Sequence, residues 1–75
     1  MFLLNWWTGK GATVHRYDTS RDMTACGTYT NMLYWRSLRP EHPVWEQLSL
    51  VDSLPEDDDL SLARCRRCFR PRQGA

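Results

Sequence analysis

Apolar and polar residues alternate most clearly at the start of the chain. Two runs rich in aromatic and β-branched residues, 2–7 and 12–17, flank a glycine-containing turn. Two such runs around a short glycine turn predict a β-hairpin. Because side chains alternate along a strand, His15 is expected on the face opposite to Val14 and Arg16. His15 can therefore point toward a site shared with neighbouring strands.

The next segments carry weaker patterns. Residues 23–30 have the composition of a strand, and Cys26 is followed by Gly27, a residue whose φ can be positive. A glycine after the cysteine lets backbone N–H groups turn toward the sulfur, as in a metal knuckle. Residues 31–38 fit a strand and a helix equally well, and the pattern leaves both open.

A helix is predicted in the second half of the chain. Apolar residues recur at spacings of three and four between Val44 and Val51, and Pro43 stands at a position that suits a first helical turn. We therefore expect a short amphipathic helix from about Pro43 to Ser53.

The pattern of residues in the rest of the chain fits a single domain. The acidic residues 56–59 predict an exposed loop, and residues 60–64 predict a brief strand that leads to the last two cysteines. No repeat or linker divides the chain. The pattern predicts a single domain over 1–75, with a flexible tail at 69–75.

The length of the chain indicates that its hydrophobic core alone gives little stability. A chain of 75 residues buries little apolar surface, so a metal, a disulfide or a partner is expected to stabilise it. Three cysteines leave one unpaired in any internal disulfide scheme, which favours a reducing compartment. The apolar run at 2–7 lacks a basic flank and is interrupted by Asn5, so neither a signal peptide nor a membrane span is expected. We therefore expect a cytoplasmic protein.

The residues that can bind a metal make up one Cys3His set. Two cysteines three positions apart can hold one metal ion, and tetrahedral zinc needs two further S or N ligands. We predict one zinc ion per chain, bound by His15, Cys26, Cys65 and Cys68. His42 is the alternative histidine, but it precedes a helix-starting proline, where capping or simple exposure is expected.

Other roles for the cysteines are weaker. A redox-active Cys-x-x-Cys pair is expected near a βαβ pattern, which this sequence lacks. Cys26 taken alone also fits an ordinary buried cysteine. Three thiolates and a neutral imidazole on Zn²⁺ would leave a charge of about −1, which Arg64, Arg66 and Arg67 can offset.

These motifs resemble those of the small zinc-ribbon-like proteins common in actinobacteria and their phages. The matching pieces are Val14-His15, Ala25-Cys26-Gly27, one of Trp35 or Trp45, and Cys65-Arg66-Arg67-Cys68-Phe69. The long stretch between Cys26 and Cys65 departs from that pattern. The resemblance implies a small α+β zinc-stapled domain with zinc-ribbon-like antiparallel β-hairpins and one short helix, and a phage or prophage origin.

Catalysis is not expected from this sequence. Four protein ligands would close the zinc tetrahedron, whereas catalytic zinc keeps one position open. The sequence also has no His-x-Glu deaminase motif, P-loop or dinucleotide fingerprint.

Charge and aromatic content predict a binding role. Residues 41–60 hold seven acids and no Lys or Arg, whereas residues 61–75 hold five arginines and no acid. Four tryptophans and three tyrosines either form the small core or supply an interface. We predict binding to a protein, such as a host protein modulated by a phage factor, through Arg64, Arg66, Arg67, Arg70, Trp35 and Trp45. The alternative is nucleic-acid binding, with these arginines and Arg72 on phosphates.

Overall fold

A β-hairpin at the start of the chain forms the centre of the fold. The structure is a computed structural model and describes residues 1–70. Strand β1 (Phe2–Trp6) pairs antiparallel with β2 (Gly11–Asp18). The Thr8 hydroxyl oxygen accepts hydrogen bonds from the backbone N–H groups of Lys10 and Gly11, at 3.2 and 2.7 Å, and so closes the turn. The predicted hairpin is confirmed.

The long strand β2 is central because other strands pair with it on both sides. Beyond β1, the sheet continues with β4 (Leu48–Val51), which runs antiparallel to β1. On the other side, two short strands share the edge of β2. The strand β5 (Ser61–Arg64) runs parallel to the first half of β2, and β3 (Met23–Thr24) runs antiparallel to its end.

The helices differ from the predicted one. Helix α1 (Met32–Leu38) forms in the segment whose pattern was ambiguous, and α2 (Val44–Gln47) is a single turn. The predicted helix from Pro43 to Ser53 is therefore wrong after Gln47, where β4 begins. Residues 48–51 satisfy a two-residue as well as a three-residue spacing of apolar positions, and pairing with β1 selects the strand.

The sheet is covered on both faces. On one, which we call the helical face, Leu3, Tyr17 and Leu48 are buried against side chains that include Met32, Leu33 and Trp45. On the other, which we call the Phe69 face, Leu4, Ala12 and Val14 are buried against side chains that include Phe2, Trp6 and Phe69. The tryptophans thus divide between core edge and surface: Trp6 and Trp45 are half-buried and pack against the two cores, whereas Trp7 and Trp35 are 56% and 48% exposed.

The class predicted from the sequence is confirmed: a small α+β fold with an antiparallel sheet and a Cys3His cluster. A flexible tail was predicted from residue 69 onward, but Phe69 is packed: its ring stacks on the ring of Phe2, with 6.4 Å between centroids. The remainder of that tail from residue 71 onward lies outside the described residues. No helix within residues 1–70 is long and apolar enough to cross a bilayer.

Candidate metal centre

The candidate metal centre lies where the edge of β2 changes partner. Pairing with β5 ends at Val14, and pairing with β3 begins at Tyr17. The Cys65 N–H donates to the Val14 carbonyl at 2.8 Å, and the Ala25 N–H donates to the Arg16 carbonyl at 2.9 Å. The two cysteine-bearing turns therefore leave β2 on either side of His15. This arrangement explains how ligands far apart in sequence meet.

The first turn is a knuckle built on Gly27. Its N–H donates to the Thr24 carbonyl at 2.9 Å, and its φ is +78°. A side chain at this position would strain the backbone, because L residues rarely adopt that φ. The predicted positive φ of Gly27 is confirmed, whereas the predicted strand over residues 23–30 is wrong after Thr24, where the turn begins.

The second turn contains the Cys-x-x-Cys pair. The Phe69 N–H donates to the Cys65 carbonyl at 3.0 Å, which closes the turn and returns the chain to the Phe69 face. Cys68 is buried, and Cys65 is half-buried. One thiol is therefore fixed inside the fold while the other lies near its surface.

The four predicted ligand residues lie together. Their donor atoms are all within 4.8 Å of one another, and His15 Nδ1 is 3.6 Å from the Sγ atoms of both Cys26 and Cys68. Bond lengths of about 2.0 Å to N and 2.3 Å to S give N···S edges of about 3.5 Å and S···S edges of about 3.8 Å in a tetrahedron. The donor set thus fits a tetrahedral metal ion, with a small inward movement of the widest pair.

Hydrogen bonds favour a thiolate at Cys26. Burial raises the pKa of this thiol, but hydrogen bonds from the Thr24 and Thr28 hydroxyls outweigh burial and lower the pKa to about 5. Burial, followed by the bond to Cys26, raises the pKa of Cys68 to about 11. Without a metal, the two thiols therefore share one proton at neutral pH. A cation would displace that proton, because metal ligands bind as thiolates.

His15 is held by the core on the helical face. It is buried, and its ring meets the ring of Tyr29 edge-on, with 5.2 Å between centroids. The Tyr29 hydroxyl accepts a hydrogen bond from Asn5 Nδ2 at 2.7 Å, which ties Tyr29 to β1. His42 lies outside the cluster: it is exposed, and its Nδ1 accepts a hydrogen bond from the Val44 N–H at 3.1 Å. His15 is therefore the histidine of this site.

Comparison with known proteins does not assign the chain to a family. No protein-family model, curated protein or solved structure matches the chain.

The predicted partner-binding residues fall into two separate groups. Trp35 and Trp45 line a groove on the helical face. Arg66, Arg67 and Arg70 surround a concavity of about 430 Å³ beside Phe69, on the other side of the sheet. The sequence-based set therefore does not form one surface.

The sequence-based set included Arg64 but omitted Arg16 and Phe69, and these three residues complete the arginine group. The guanidinium of Arg64 lies 5.4 Å from the centre of the Phe69 ring, and that of Arg16 lies 5.9 Å from it. The signals for Arg16 and Phe69 were the alternation in β2 and the apolar residue after Cys68. Their meeting depends on the parallel pairing of β5 with β2, which the pattern did not predict.

Proposed function

We propose that this protein is a non-catalytic zinc module that acts by binding another protein. Three thiolates and one imidazole form a donor set that suits zinc, and four protein donors complete a structural zinc shell. A shell closed in this way leaves no position for a water molecule or a substrate. This chemistry supports a structural ion rather than a catalytic one.

The ion would cross-link three segments at one edge of β2. It would join that strand to the Cys26 knuckle and to the turn at 65–68, segments otherwise linked to β2 by few backbone hydrogen bonds. The binding free energy of structural zinc is largely folding free energy. The ion would therefore stabilise the edge of the sheet that carries the two cysteine-bearing turns.

An exposed apolar groove is the observation that carries the binding role. Its volume is about 460 Å³, within the range of ligand-binding clefts, and it lies between α1, α2 and β4. The floor is Leu48, which is buried, whereas Trp35 and Val44 are 48% and 37% exposed. Exposed apolar surface around a concave site is typical of a protein interface.

The groove is already shaped in the free protein. The indole N–H of Trp45 donates to the Arg39 carbonyl at 2.8 Å, and the Arg39 N–H donates to the Trp35 carbonyl at 2.8 Å. These bonds connect the end of α1 to α2 and fix the groove walls. A preformed groove binds with a smaller entropic cost than one that must assemble.

The test is selection of peptides from a random displayed library on immobilised, zinc-loaded protein. Peptides that bind the wild type and lose at least tenfold in affinity for Trp35→Ala support the proposal. Trp7→Ala is the matched control, because Trp7 is exposed and lies outside the groove lining. If selection yields no peptide whose binding depends on Trp35, the protein-binding proposal is rejected.

Nucleic-acid binding is a second candidate because the arginines around Phe69 form one surface. Arg16, Arg64, Arg66, Arg67 and Arg70 are all exposed there. The acidic residues 56–59 begin two positions after Leu54, which packs on the same Phe69 face, and their charge would repel a polyanion. The acidic run therefore counts against this second candidate.

The phage origin and the modulation of a host protein rest on the resemblance of the cysteine and histidine motifs alone. They stay predictions.

A further inference from the structure

We infer that the groove on the helical face binds an acidic segment of a partner protein, one that carries two or three apolar anchor residues among Asp and Glu. This inference rests on the proposed protein-binding function and specifies its partner. The groove combines an apolar interior with a basic rim, and the two parts predict different features of the ligand.

The interior predicts apolar anchors. Five of the seven lining residues are apolar, and they come from α1, α2 and β4: Met32, Trp35, Val44, Trp45 and Leu48. The indole N–H of Trp45 already has an acceptor in Arg39. The floor of the groove thus offers the ligand mainly hydrophobic contact, which suits side chains such as Leu, Phe or Trp.

The rim predicts negative charge. The other two lining residues are Arg39 and His42, and none of the described residues that line the groove is acidic. Arg36 on α1 is also exposed, and Glu41, between Arg39 and His42, is exposed without lining the groove. Glu46 of α2 lines a different concavity, together with Trp6 and Trp7. Complementary charge around an apolar centre sets specificity and speeds association.

A second copy of this chain fits the groove less well. A symmetric dimer through the groove would place the same patch of each copy against the other, with Arg39 facing basic groups of its partner. The chain has its own acidic run at 56–59, but Leu54 before it packs into the Phe69 face. That apolar neighbour is not available as an anchor. A different protein is therefore the occupant that the charges favour.

The peptide selection tests this inference separately from the proposed function. The inference expects Trp35-dependent peptides to be enriched in Asp and Glu around at least two apolar residues. It also expects binding of a selected peptide to weaken at least tenfold when its acids become Gln or when Arg39 is changed to Glu. Arg21→Glu is the matched control, because Arg21 is exposed and does not line the groove.

Each outcome of the selection decides between the two claims. Trp35-dependent peptides that are neutral or basic overturn the acidic-partner inference and leave the protein-binding function standing. An absence of Trp35-dependent peptides overturns both. Sedimentation of the zinc-loaded protein tests the second copy as occupant, since a dimer that Trp35→Ala dissociates would overturn the inference in favour of self-association. Retained zinc and a retained cooperative thermal transition in each variant exclude unfolding as the cause.

Discussion

Leu3 lies directly opposite His15 in the pairing of β1 with β2, and both side chains are buried on the helical face. The hydrophobic core and the metal centre are therefore neighbours on the same two strands. Loss of the metal would leave the Cys26 and Cys68 thiols crowded beside that core. Folding and metal binding are consequently expected to be coupled.

Chelation of the metal should unfold the domain. We expect native mass spectrometry to find one zinc ion per chain, and we expect acid or a strong chelator to remove the ion together with the near-UV CD signal. The reason is that the Cys26 knuckle and the 65–68 turn are held to β2 mainly through the centre. Chelated protein that kept its near-UV CD and its thermal transition would falsify the structural role of the metal.

The two histidines should respond differently to substitution. We expect His15→Ala to lose zinc, because His15 Nδ1 lies 3.6 Å from two of the thiols. We expect His42→Ala to keep one zinc ion and to lose only the hydrogen bond to the Val44 N–H. Zinc content of the purified variants is the measurement. Retention by His15→Ala and loss by His42→Ala would contradict the ligand assignment.

The predictable parts of the structure are those set by local patterns or by ligand chemistry. The hairpin followed from alternation on both sides of a glycine turn, and the four ligands followed from the preferences of zinc. Residues 48–51 were assigned wrongly, because their choice of strand depends on β1, more than 40 residues earlier. The parallel pairing of β5 with β2 was likewise absent from the pattern, although it brings Arg64 and Phe69 to Arg16.

The Asp22 side chain caps the N-terminus of α1, and no sequence motif predicted this cap. Asn31, at the N-cap position, makes no side-chain cap hydrogen bond. Instead, the Asp22 carboxylate accepts hydrogen bonds from the Leu33 N–H at 2.8 Å, the Tyr34 N–H at 3.1 Å and the Tyr17 hydroxyl at 2.6 Å. Its two partners in the first turn of α1 lie 11 and 12 residues along the chain, so the usual capping motif is missing.

Replacing this carboxylate should destabilise the protein. We expect Asp22→Asn to lower the free energy of unfolding by about 1 kcal/mol, the usual value of a helix cap. Asn is the suitable replacement because Asp22 has φ +53°, which Asn also tolerates. Asp58→Asn, in the exposed acidic loop, is the control and should change stability little. Urea unfolding of zinc-loaded protein at neutral pH measures both, and equal midpoints for the two variants would refute the cap.

The contribution of Asp22 to the free energy of unfolding should be lost only at low pH. Burial raises the pKa of this carboxyl, but the hydrogen bonds from Tyr17, Leu33 and Tyr34 outweigh burial and lower it. A folded-state pKa below the unfolded value of about 3.9 adds stability above that value, and this stability is lost as pH falls through the folded pKa. The difference between wild type and Asp22→Asn should therefore stay constant from about pH 8 down to about pH 5. Zinc content measured at each pH separates this effect from release of the metal, and a difference that shrank while zinc stayed bound would contradict the lowered pKa.

The arginines around Phe69 allow a decision between the two candidate functions. If they bind phosphates, each Arg→Ala change should lower the salt slope of binding by about one unit, with little dependence on nucleotide sequence, because counterion release drives the association. Arg66, Arg67 and Arg70, which line the concavity, and Arg16, which lies over Phe69, are the positions to change singly. Titration with mixed-sequence DNA and RNA at several salt concentrations gives the slopes.

A protein interface would give a different pattern at the same positions. Arginines near its centre would each contribute about 2 kcal/mol or more, and those at its rim would alter mainly the association rate. Arg21→Ala is the control for either outcome, because Arg21 is exposed and lines neither concavity. Wild-type protein that binds neither polymer at low salt removes the nucleic-acid candidate. Steep salt-dependent binding that weakens by similar steps at each of the four positions, and not at Arg21, would instead favour nucleic acid over a protein at this surface.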